Sequence, residues 1–78
     1  MPPQDHPAWL HAERRALGDR IRERRMRQNL TQEKLAEAAG VSRDTVQRIE
    51  RGTNDPRYSD LARIACALDT PLAKLVGG

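Results

Sequence analysis

Phenylalanine is absent from this 78-residue chain, and Trp, Tyr and Cys occur once each. With so few aromatics, a core has to be assembled from Leu, Ile, Val and Ala. The lone Cys66 excludes an internal disulfide and a thiolate metal site. His6 and His11 lie in the weakest part of the chain, and neither a metal nor a cofactor is expected. Long apolar runs are lacking too: nothing approaches the roughly 20 residues of a membrane span, and no signal-peptide pattern opens the sequence. A cytoplasmic protein with no membrane partner is the expectation. There is no strand signal, no phosphate-cradling glycine loop and no Ser/His or Cys/His pairing suited to nucleophilic attack, which argues against an enzyme.

What the chain has in abundance is arginine. Lys and Arg total 14 against 11 acids, for a net charge of +3, and all but two of the 14 are Arg. That bias, with frequent Ala, suggests a GC-rich bacterial or phage genome. Residues 14 to 28 hold seven Arg against Asp19 and Glu23, a local sum of +5. Clustered Arg fits a polyanionic partner, although such a series on a helix more often forms a solvated face, here beside Glu13, Asp19 and Glu23. A chain this short buries only roughly 60% of its unfolded surface, so a dimer is a reasonable expectation.

Hydrophobic spacing predicts five helices joined by short loops, a compact all-α domain over 9–78 after a disordered segment at 1–8 that carries Pro2 and Pro3. Pro7 suits the first turn of the first helix, capped by Asp5 or His6. Leu10, Leu17 and Ile21 then share one side of a helix running to about Gln28. Gly18 weakens that helix by about 1 kcal/mol relative to Ala, so the first ten residues read as a separate or frayed piece. Asn29 tolerates left-handed backbone and stops the helix. Thr31 caps the second helix, which ends at Gly40; Ser42 caps the third, which runs to about Glu50 and stops at Gly52. Asp55-Pro56 reads as cap and first residue of the fourth helix, with Leu61, Ile64, Ala65 and Leu68 inward. Thr70-Pro71 repeats that device for a short fifth helix carrying Leu72 and Leu75.

The most informative stretch runs from Thr31 to Gly52, where Gln32, Ala36, Gly40, Val46 and Ile49 stand at the offsets of a helix-turn-helix formed by helices 2 and 3. A small residue at Ala36 lets two helix axes approach, and Gly40 permits the positive φ needed to leave one helix and enter the next within a few residues. Leu35, Val46 and Ile49 close the angle. The second helix of such a pair presents its outer face as a ridge that fits the DNA major groove. With Val46 and Ile49 inward, Asp44, Arg48 and Arg51 point most nearly outward, Arg43 and Gln47 lie on one flank, and Thr45 on the other.

Residues 17 to 75 resemble a lambda-repressor-like domain of the Xre type, as in phage repressors, Cro proteins and bacterial regulators. The matching stretches include Leu30-Thr31-Gln32-Glu33-Lys34-Leu35-Ala36, Ile49-Glu50-Arg51-Gly52 and Leu61-Ala62-Arg63-Ile64-Ala65. The resemblance implies a sequence-specific regulator of transcription, most simply a repressor, binding double-stranded DNA as a homodimer on a two-fold related operator, with a regulatory protein as a further partner. The alternative is a protein-interaction module, such as an antitoxin whose main partner is a protein. By position, Arg43, Asp44, Gln47 and Arg48 would contact bases, with Arg43 and Arg48 reading guanine and Gln47 pairing with adenine or reaching a phosphate. Gln32, Ser42, Thr45, Arg51, Asn54 and Arg57 would contact the DNA backbone. Arg25 and Glu50 would form a structural ion pair. Asp44 either accepts a bond from cytosine N4 or orients Arg48. Arg24 stands where relatives have an apolar residue, which implies a thinner core beneath the first helix. Cys66 reads as a half-buried packing thiol, and Trp9 as packing either on its own domain or on a partner subunit.

Overall fold

The computed structural model describes residues 7–53 and 55–77. The disordered segment expected ahead of the domain falls mostly outside these residues, as do the proposed caps Asp5 and His6 and the backbone contact at Asn54. Five helices make up the described chain: α1 (Ala8–Arg27), α2 (Gln32–Ala39), α3 (Arg43–Arg51), α4 (Tyr58–Ala67) and α5 (Leu72–Val76). They enclose one core of Leu17, Ile21, Leu35, Ala36, Ala39, Val46, Ile49, Leu61, Ile64, Ala65, Leu68 and Leu75. Aliphatic residues alone fill it, as the missing Phe requires.

α1 is continuous where a break was expected. Pro7 itself is the residue before the helix, its carbonyl accepting from the Leu10 amide at 3.0 Å. Gly18 is buried in the middle, because the C-terminal end of α3 crosses α1 there. A Cβ added at Gly18 would lie 2.5 Å from the Glu50 carbonyl oxygen and 2.6 Å from that of Ile49. The glycine is therefore a contact surface rather than a weak point. Asn29 closes the helix with φ 58°.

Of the seven arginines of α1, Arg15, Arg22 and Arg27 lie on a solvated face, Arg27 paired with Glu23 at 3.1 Å, and the other four reach distant segments. Arg20 donates to the Leu75 carbonyl at 2.8 Å, and Arg24 reaches the Thr70 hydroxyl at 3.4 Å. Arg14 pairs with Asp55 at 3.4 Å, and Arg25 pairs with Glu50. Each guanidinium thus ties α1 to a segment at least 25 residues away. Arg24 is a polar tether to the α4–α5 turn.

Two helix starts differ from expectation. α4 begins after Arg57, which has extended backbone and supplies no side-chain cap. Asp55 lies too far upstream to reach the first-turn amides and turns to Arg14 instead. α5 likewise begins after Pro71, without a side-chain cap. Thr70 serves the preceding turn: its amide donates to the Ala65 carbonyl at 2.9 Å, beside Asp69 at φ 53°. Cys66 is exposed rather than half-buried, since it lies about 140° around α4 from Leu61, on the side away from the core.

Candidate nucleic-acid interface

The α2–α3 pair is built by short-range signals. The Thr31 hydroxyl accepts from the Lys34 amide at 3.0 Å and the Ser42 hydroxyl from the Thr45 amide at 3.0 Å, so each helix begins with a satisfied cap. Gly40 holds φ at 71° with no atom within 4 Å of an added Cβ; only the backbone angle demands glycine there. The Val41 amide then bonds to the Ala36 carbonyl at 3.0 Å. Ala36, Val46 and Ile49 are buried, which fixes the angle between the helices.

That packing leaves the outer side of α3 in solvent. Arg43, Asp44, Arg48 and Arg51 are exposed, while Thr45 and Gln47 are half-buried on the two flanks. Arg48 and Asp44, one turn apart, are hydrogen-bonded as an ion pair, with side chains 56% and 59% exposed. The hydrogen bond and the charge of Asp44 raise the Arg48 pKa above its ordinary value. Among the described residues, Arg43 and Arg51 make no ion pair. Ser42 is exposed, but its hydroxyl is engaged with Thr45, both with the amide and with the side-chain oxygen at 2.8 Å.

Beneath this face lies a second polar cluster. Arg25 Nε donates to Glu50 Oε2 at 2.7 Å, Arg25 Nη2 to Glu50 Oε1 at 3.1 Å, and Arg25 Nη1 to the Leu30 carbonyl at 2.8 Å. Gln32 Nε2 donates to Glu50 Oε1 at 3.1 Å. The Glu50 carboxylate, 5% exposed, therefore joins α1, α2 and α3. Gln32 is oriented by it at the first residue of α2, where the helix N-terminus carries partial positive charge.

A polar cleft of about 460 Å³ runs between α3 and the start of α4, lined among others by Ser42, Thr45, Arg48, Arg57, Asp60 and Arg63. Arg57 is exposed there. Arg63 was not among the residues singled out from sequence. Nothing local marks it, because only the packing of α4 against the helix pair turns it toward α3.

These features define a helix-turn-helix domain. The chain belongs to the helix-turn-helix family, whose model matches residues 21–75. It is similar to an HTH-type transcriptional regulator of Sinorhizobium medicae, 39% identical over 57 residues that make up 73% of this chain and 41% of that protein. It is also similar to the immunity repressor protein of Bacillus phage phi105, 39% identical over 61 residues, 78% of this chain and 42% of the repressor. The chain thus spans about two fifths of the length of these relatives. Among solved structures, the restriction-modification controller protein C.AhdI of Aeromonas hydrophila superimposes with a TM-score of 0.79 at 34% identity, over 82% of this chain and 97% of its own. The similarity is to regulators of transcription and a restriction-modification controller.

Proposed function

We propose that this protein is a sequence-specific DNA-binding regulator of transcription, most simply a cytoplasmic repressor that occupies a two-fold related operator as a homodimer. The observation that carries this reading is the outer face of α3. Its arginines are exposed on a helix whose opposite side is locked into the core. Such a rigid ridge can enter a major groove without reorganisation. Arg43 and Arg48 read guanine through O6 and N7, and Gln47 pairs with adenine or a phosphate. Gln32, steadied by Glu50, meets a phosphate at the N-terminus of α2, and Ser42, Thr45, Arg51 and Arg57 add contacts along the backbone.

The homodimer draws on Trp9. That indole is 66% exposed beside a groove containing Leu10, Leu17, Leu61 and Val76, so it does not bury itself on its own domain. A second copy is the occupant this face suits.

Two substitutions read by a salt-dependent gel-shift titration test the assignment. Arg48→Ala should relax preference at one base step and cost about 1–3 kcal/mol on the selected site. Gln32→Ala should weaken binding to all sequences nearly equally. Uniform loss in both would mean the wrong side of α3 has been assigned to the groove. Absence of DNA binding even at low salt would favour a protein as the main partner.

A further inference from the structure

The ion pair on the exposed face of α3 gives the helix only modest support, through an acid in its first turn and a pairing one turn apart. Ser42 caps the helix, the core side chains hold it in place, and Glu50 ties it to α1 and α2. Asp44 is nonetheless an acid on the surface that would face a polyanion, exposed and bonded to the arginine one turn ahead. Uncompensated, it lowers affinity for every DNA sequence. Against DNA, a carboxylate in that position is favourable only where it meets hydrogen-bond donors.

The geometry points to Asp44 and Arg48 as one composite reader that demands a cytosine next to the guanine Arg48 contacts, an inference that rests on the DNA-binding role proposed for α3. In the pair, Arg48 Nη2 bonds to Asp44 Oδ2. This leaves the other guanidinium N–H groups free for guanine O6 and N7, and Asp44 Oδ1 free to accept from cytosine N4. Because the two side chains touch, the bases they read belong to neighbouring base pairs across one step. The carboxylate also repels the acceptor-only edges of guanine, O6 and N7, and the O4 of thymine. It therefore selects by excluding wrong bases as well as by binding the right one. A third consequence concerns the backbone: Asp44 holds the long Arg48 side chain over the first turn of α3 and away from phosphates, trading general affinity for discrimination.

The test is selection of bound sites from a random duplex pool, run in parallel with the unmodified protein and with Asp44→Asn and Asp44→Ser, each first checked for an unchanged helical circular dichroism spectrum. The expected result for the unmodified protein is a guanine and, at the adjacent base pair, a cytosine in each half-site, the cytosine favoured about ten- to a hundredfold. Both variants should keep the guanine, lose the cytosine requirement, and bind unrelated DNA more tightly, with a salt slope steeper by about one. Identical preferences in all three proteins, or loss of the guanine together with the cytosine, would overturn the composite reader. A pool from which the unmodified protein enriches nothing would overturn it along with the DNA-binding role itself, so the two failures are distinct.

Discussion

Glu50→Ala is expected to lower stability by about 3–5 kcal/mol, enough to drop the midpoint of thermal unfolding by about 15 °C or more in a domain of this size. The carboxylate is almost wholly out of solvent and accepts three side-chain bonds, two from Arg25 and one from Gln32. Removing it strands a guanidinium whose side chain is only 12% exposed. Most of the loss is the cost of that orphaned charge, not the worth of the pair. Replacing Arg25 by Met in the Glu50→Ala background should consequently restore part of the stability. A double substitution as damaging as the sum of the two single ones would show that the ion pair is not coupled across α1 and α3. Differential scanning calorimetry of the four proteins gives the comparison.

Gly18→Ala should also destabilise, by about 2 kcal/mol or more, against the ordinary rule that Ala in a helix interior is better than Gly by about 1 kcal/mol. The added methyl would meet backbone carbonyls of Ile49 and Glu50, which cannot rotate aside as a side chain would. Accommodating it requires α3 to move away from α1, which also lengthens the Arg25–Glu50 bonds. Urea unfolding of the variant reads the sign directly. A stabilised Gly18→Ala protein would mean that the crossing of the two helices is looser than described.

Both substitutions mark the division between what the sequence discloses and what it hides. The caps Thr31 and Ser42, the left-handed Asn29 and Gly40, and the apolar stripe of α4 depend on neighbours within a few residues, and all were legible. Gly18 was misread as a flaw because its reason for being glycine lies 31 and 32 positions away, at Ile49 and Glu50. Asp55 and Thr70 were placed as caps from dipeptides with Pro, but each helix starts later and the side chains find other partners. The arginines of α1 looked like a charge run; only the tertiary packing turns four of them into tethers. For the candidate site, the outward set Asp44, Arg48 and Arg51 follows from a 100° step alone. The contribution of Arg63 to the cleft does not, because it depends on where α4 lies.

The exposed arginines of α3 are proposed to touch nucleobases, and dimethyl sulfate protection on a selected operator asks this most directly. Guanine N7 atoms should be shielded in two major-groove patches about ten base pairs apart, with shielding of one guanine per patch lost in the Arg48→Ala protein. Full reactivity of every guanine N7 in a saturated complex, with protection confined to sugars and phosphates, would contradict it.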